Sequence, residues 1–339
     1  MPSELDSLDG YSEPRGEHRT ATLDPPGEER VHTPFPFARV REIHSTGGCR
    51  CPRCGAGEIQ RWGQFKGRRR YRCRACDRTF SDLTGTPLAY LKRLDGWAPF
   101  CACLLLGLSV RRTAAWIGLH KDTAFRWRHR LLASLLATEN AWLRGTVTTE
   151  QTWFTHSLKG SRSLGRAPRR RAVRGLAFRQ PALAWVLLAV DPHGAAAGAA
   201  VGPSRPGKAD VARMLEGRLA ADAVLTTRAD PRTAVASFAR EHGLRWRRRT
   251  ARDRVTLPAP GRATRADDGP GPEHGRGPGP GATTWDPGML YVRRLKRTLG
   301  RFRGVATRYL AHYLVWFRLI DAPRDPRRAC DVVTAGVFP

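Results

Sequence analysis

From Leu94 onward, apolar residues recur at helical spacing. Trp97, Cys101, Leu104 and Leu105 fall at i, i+4, i+7 and i+8, which puts them on one face. A short second helix follows, with Ser109 as N-cap, Val110, Ala114 and Ile117 as its apolar stripe, and Gly118 as its stop. The third, from His120 to about Ser134, turns Ala124, Trp127, Leu131 and Leu135 inward and Lys121, Arg126, Arg128 and Arg130 outward. Helix, glycine turn and basic helix is the pattern of a helix-turn-helix, a pattern that small helical bundles share.

Beyond Gly145 the period shortens. Val147 to Phe154 and Leu183 to Val190 read as strands bounded by Gly, Pro or charge clusters. A helix at about Ala209 to Ala220, a strand at Ala223 to Thr227 and a helix at about Pro231 to His242 continue the alternation, which predicts an α/β core. Between Gly261 and Gly281, 11 of 21 residues are Gly or Pro, too little apolar surface to order itself, so a flexible insertion is expected. An apolar, aromatic helix pair from about Pro287 to Ile320 closes the domain, with Asp286 and Pro287 suited to an N-cap and first helical residue.

The N-terminal residues to about 45 mix Pro, Gly, Glu and Arg without periodicity and read as a disordered arm with no signal-peptide core. Composition fits folding elsewhere: 41% of the 339 residues are hydrophobic. Charge narrows the partner. With 59 Lys+Arg against 30 Asp+Glu, the formal charge is +29, which attracts polyanions and makes binding salt-dependent. Nucleic acid is the expected partner. Membrane is not, since no apolar run approaches the ~18 residues of a spanning helix. Arginine far outnumbers lysine, so GC-rich coding accounts for part of the excess.

Two cysteine pairs, Cys51-Pro52-Arg53-Cys54 and Cys73-Arg74-Ala75-Cys76, bring four thiolates to a tetrahedral ion and leave no open position, which predicts a structural zinc ribbon. Spacing alone admits iron as well. Disulfides would need an oxidising compartment, and a redox pair would need one Cys-x-x-Cys on a βαβ unit. Cys49 is an unliganded neighbour, Cys101 and Cys103 are core thiols, and Cys330 is unassigned. The basic cluster Lys66 to Arg72 between the pairs suits either a solvated hairpin face or DNA backbone contact.

Several segments in order carry a resemblance: the paired cysteines ending in Cys76-Asp77-Arg78-Thr79-Phe80-Ser81; Thr84-Gly85-Thr86-Pro87; Thr123 to Arg128; Leu158-Lys159-Gly160-Ser161-Arg162; and Arg301 to Leu310. Together they resemble bacterial insertion-sequence transposases of the ISXO-type group. The resemblance implies a multidomain α+β chain: arm (1–46), zinc ribbon (47–90), helix-turn-helix (91–144), ribonuclease H-like core with a mixed sheet (145–250), flexible insertion (251–285), C-terminal helices completing the core (286–326) and a tail (327–339). It also implies a cytoplasmic, nucleoid-associated protein that acts on double-stranded DNA at terminal inverted repeats as a homo-oligomer.

Such enzymes hold two Mg²⁺ ions on carboxylates, one activating the attacking oxygen and one stabilising the leaving oxygen. By resemblance the first ligand is Glu150, where the family has Asp, and the second is Asp230. Asp230, before Pro231, equally suits a helix N-cap. Asp191 aligns with a family Asp that is not a ligand. The third position falls on Val292, which cannot coordinate a metal; Asp286 is explained as a cap on a different helical face, and Glu273 and His274 lie in the insertion. A transposase or transposase-derived protein with impaired cleavage is therefore expected. Its alternatives are a DNA-binding remnant or a regulator without catalysis. DNA contact is expected from Lys121, Arg126, Arg128 and Arg130, aided by Arg169 to Arg171 and Arg247 to Arg249.

Overall fold

The computed structural model describes residues 49–137, 142–164, 182–228, 233–250, 253, 255–257, 283–302 and 304–321. The expected arm, Gly261 to Gly281, Asp230, the run Arg169 to Arg171, Cys330 and the C-terminal tail lie outside these residues.

The four-cysteine segment forms a small antiparallel sheet in which β1 (Ile59–Phe65) pairs with β2 (Arg68–Cys73), and β2 with β3 (Thr79–Ser81). Lys66 and Gly67 turn the first hairpin with φ of 48° and 73°, two left-handed residues that match the twist of the strands they join. Its core is only Cys51, Cys73 and Phe80, with Tyr71 stacked on Phe80 at 5.3 Å between ring centres. So small a core cannot hold the hairpin unaided.

Three helices follow: α1 (Trp97–Leu105), α2 (Val110–Ile117) and α3 (Lys121–Ala137). Ser109 caps α2 by accepting a hydrogen bond from the Arg112 N–H, and Gly118 ends it in the left-handed region at φ 69°. Both follow the sequence signals. Trp97, Phe100 and Trp127 meet between α1 and α3, with Phe100 edge-on to Trp127 at 5.5 Å.

The second half is built on a mixed five-stranded sheet in the order β6-β5-β4-β7-β8: β4 (Thr146–Thr155), β5 (Leu183–Val190), β6 (Ala196–Gly202), β7 (Val224–Thr227) and β8 (Arg245–Arg248). The β4–β5 and β5–β6 pairs are antiparallel, and β4–β7 and β7–β8 are parallel. The continuous apolar run of β5 reflects burial on both faces. Leu187 and Ala189 pack under α4 (Lys208–Leu215) and α5 (Ala234–Glu241), in a cluster with Val211, Leu215 and Phe238. Val186 and Leu188 face α6 (Pro287–Gly300) and α7 (Leu310–Asp321). That second cluster continues into α1 and α3 through Leu104, Trp127, Leu131 and Leu132, so the three helices and the sheet share one buried core. Trp316 of α7 donates its indole N–H to the Leu104 carbonyl at 2.7 Å.

Some expectations change. β6, made of Ala, Gly and Val, has no polar alternation to betray a strand, and β8 is an arginine-rich edge. α4 stops at Leu215 rather than Ala220. α5 begins at Ala234 with Thr233 as N-cap, so the capping role weighed for Asp230 falls to Thr233. The expected flexible insertion, 251–285, contains order near both ends: β9 (Val255–Leu257) and β10 (Thr283–Trp285) pair antiparallel within its bounds. That pairing is non-local, and no window of sequence around the Gly/Pro stretch reveals it.

Candidate metal centre, carboxylate cluster and basic helix

The two cysteine turns have matching backbones. Cys51 N–H donates to the Ala56 carbonyl at 2.8 Å and Cys73 N–H to the Arg78 carbonyl at 3.0 Å, each five residues on. The residue after each second cysteine is left-handed, Gly55 at φ 74° and Asp77 at φ 57°. This geometry gathers all four Sγ atoms within 4.8 Å of one another, with Cys51–Cys76 and Cys54–Cys73 each at 3.6 Å. A tetrahedral zinc with Zn–S bonds of about 2.3 Å needs S–S edges of about 3.8 Å, so the residues fit a structural metal such as zinc. Burial opposes ionisation of Cys51, but hydrogen bonds from the Arg53 and Cys54 backbone N–H groups outweigh it and bring the thiol down to about 6. Cys101 and Cys103 are buried in the helical core, as expected of core thiols.

Glu150 lies mid-strand on β4, and its environment is arginine. The Arg249 guanidinium, with its side chain 2% exposed, donates through Nη2 to Glu150 Oε1 at 2.5 Å and through Nη1 to Asp286 Oδ1 at 2.7 Å. Nη2 also donates to the Thr149 carbonyl at 3.1 Å. Arg228 Nε stands 4.0 Å from the same Glu150 oxygen. Burial raises the Glu150 carboxyl above its usual range, with both arginines pulling the other way. Asp286 caps α6 as predicted, accepting from the Met289 N–H at 3.0 Å. It does not point away from the first acid, however: the same Oδ1 joins the Arg249 cluster. Gly288, two residues on, brings the helix start against Thr148 and Glu150 of β4.

Val292 is buried in the core, as a residue without ligand chemistry should be. Asp191 organises the β5–β6 turn by accepting from the backbone N–H groups of Arg144, His193 and Ala195. Among the described residues, no group of three or more His, Cys, Asp or Glu other than the four cysteines gathers to hold a metal. With the Arg249 guanidinium holding both of its carboxylates, the described set around Glu150 does not fit Mg²⁺.

On α3, Lys121, Arg126 and Arg130 are exposed; Arg126 and Arg130, four residues apart, share one face, and Lys121 stands at the helix start. Arg128, expected beside them, is instead 1% exposed. It donates to the Leu108 carbonyl at 2.7 Å and lies over the Trp316 ring at 4.3 Å. The helix is buried on two sides, against α1 and α2 and against α7, and the second partner arrives nearly 190 residues later in sequence. Next to Arg128, His129 shares a 2.9 Å Nδ1–Nδ1 hydrogen bond with His312 and stacks on Tyr309. The other basic runs are partly internal too. Arg68 donates to the Leu91 carbonyl, Arg72 pairs with Asp77, and Arg247 pairs with Asp253.

Against known proteins, the chain matches one described as an "Uncharacterized protein in transposable element ISH50" of Halobacterium salinarum, at 34% identity over 142 residues, 39% of this chain and 47% of that protein. This chain is similar to a transposon-encoded protein. It spans about half the length of the curated relative it matches. No family model matches, and no solved structure matches. Among the described residues no helix is long and apolar enough to cross a membrane.

Proposed function

We propose that this is a transposase-derived DNA-binding protein, akin to the ISXO-type group, that recognises element ends and has lost phosphodiester cleavage. The observation that carries DNA binding is the exposed pair Arg126 and Arg130 on one face of α3, with Lys121 exposed at its start, on a helix that follows a capped helix and a left-handed glycine. The strand order β6-β5-β4-β7-β8, antiparallel then parallel, supports a ribonuclease H-like core, and the four-cysteine hairpin supports a zinc ribbon. Similarity to a transposable-element protein supports the ancestry. Loss of cleavage rests on a Glu150 neutralised by arginine and an apolar Val292 at the third ligand position. The DNA partner is double-stranded, carrying the terminal inverted repeats, and the protein binds it as a homo-oligomer in the nucleoid.

The test is fluorescence anisotropy on a duplex carrying the repeats that flank the gene, across a salt series. Wild type binds with a steep salt dependence. Charge reversal at Arg126 and Arg130 together flattens the slope by roughly two counterions and weakens binding at least tenfold. Unchanged affinity in that double variant refutes the assignment of α3. Nicking by wild type in Mg²⁺ or Mn²⁺ refutes the loss of cleavage.

A further inference from the structure

We infer that Arg249 is a built-in cation: its guanidinium takes the charge-neutralising place of a divalent ion between Glu150 and Asp286, and the native protein takes up no divalent metal there. The inference rests on the loss-of-cleavage reading of this same site and is independent of DNA binding.

The geometry is that of a bridge. One guanidinium meets two carboxylates from distant parts of the chain, Glu150 on the central strand and Asp286 at the start of α6, through different Nη atoms at 2.5 and 2.7 Å. This planar fork suits two carboxylates at once, which a lysine could not match. Charge closes locally: Arg249 and Arg228 stand against Glu150 and Asp286, so among the described residues here no net negative charge is left to draw an ion. Space closes as well. A Cβ on Gly288 would come within 2.6 Å of both Arg249 Nη1 and Glu150 Cγ, so the start of α6 presses directly on the pair. Mg²⁺ needs near-octahedral oxygen ligands at about 2.0–2.1 Å and keeps several waters, which this packing does not admit while the guanidinium is in place.

Arg249 also carries a cost that shows its position is enforced. Its Nε is buried without a hydrogen-bond partner. An arginine free to choose would turn that N–H to water. It is held instead by the two carboxylates and the Thr149 carbonyl. Take the charge away and Glu150 and Asp286 are left close together with no cation between them. A hard divalent cation is the species that neutralises such a pair.

The experiment reads Mn²⁺ binding by electron paramagnetic resonance on the full-length, zinc-loaded chain. Wild type is expected to leave the free-ion signal as Glu150→Gln leaves it. Arg249→Met is expected to bind one Mn²⁺ per chain, lost again when Glu150→Gln is added, and its thermal midpoint rises with Mn²⁺ while that of wild type does not. Should Arg249→Met fail to fold, Arg249→Gln keeps a planar hydrogen-bonding end without the charge and is read in the same way. Mn²⁺ held by wild type and released by Glu150→Gln overturns the inference. So does a folded Arg249 variant that binds none. Neither readout involves DNA, so failure here and failure of the DNA-binding proposal are distinguishable.

Discussion

Gly288→Ala measures how tightly α6 is pressed onto the Glu150 cluster. An added Cβ would stand 2.6 Å from Arg249 Nη1, 2.6 Å from Glu150 Cγ and 2.7 Å from Thr148 Cγ2, where ordinary contact begins near 3.4 Å. Thr148 and Glu150 belong to the central strand, pinned between β5 and β7, so they cannot retreat. Arg249 is the long side chain of the three, but both ends of its fork are occupied. The helix start must therefore move out, or the ion pairs must stretch. Overpacking of this kind costs about 1–3 kcal/mol. The better helix propensity of alanine offsets less than ~1 kcal/mol of that so near the N-terminus. A net loss of ~2 kcal/mol lowers the thermal midpoint by roughly 4–8 °C in a domain of this size. The assay is thermal and urea unfolding followed by circular dichroism, with Gly300→Ala as the paired control. Gly300 lies in the same helix and has nothing within 4 Å of its added Cβ, so that variant should be neutral or slightly more stable. Equal stability of Gly288→Ala and Gly300→Ala would falsify the close approach.

Further outcomes follow from other parts of the molecule. Metal analysis should find one zinc per chain, lost in Cys76→Ser; because the hairpin core is separate from the main one, chelation should unfold the hairpin and leave the main thermal transition in place, and loss of both together would refute that separation. Arg128→Glu should unfold the protein, whereas Arg126→Glu should leave its midpoint within ~1 °C, since only the former buries an unpaired charge. Acid should destabilise the fold through His129, which burial, His312, Arg128 and Arg308 lower to about 3. The unfolded imidazole, near 6.5, takes up the proton first, so its stabilisation is full above about pH 6.5 and is lost as pH falls toward 3, at most about 2 kcal/mol by pH 5. His129→Phe should flatten that slope in urea titrations at pH 7 and 5, and an unchanged slope would count against it.

What the sequence disclosed follows from how local each signal is. The cysteine turns, the Ser109 cap, the Gly118 stop and the Asp286-Pro287 start each involve residues within a few positions of one another, and all appear in the structure. Arg128 was misplaced because one helical face read as solvent is covered by Trp316, a contact that no period within α3 encodes. The carboxylate cluster was half legible. Glu150 stood out through the resemblance, but its partner Arg249 looked like one more member of a basic run, and only the fold brings it, Asp286 and Gly288 to the same point.

The indole of Trp316 on the Leu104 carbonyl spans 212 residues, and it sets the order in which a ribosome can finish this protein. Helices α1 to α3 leave the exit tunnel long before α7, carrying Arg128 and an apolar face whose cover has not yet been synthesised. Until the last helix emerges, that face is exposed and available to chaperones or to other nascent chains. A chain interrupted anywhere before Leu310 would thus leave Arg128 and that apolar face without their cover and yield an aggregation-prone fragment.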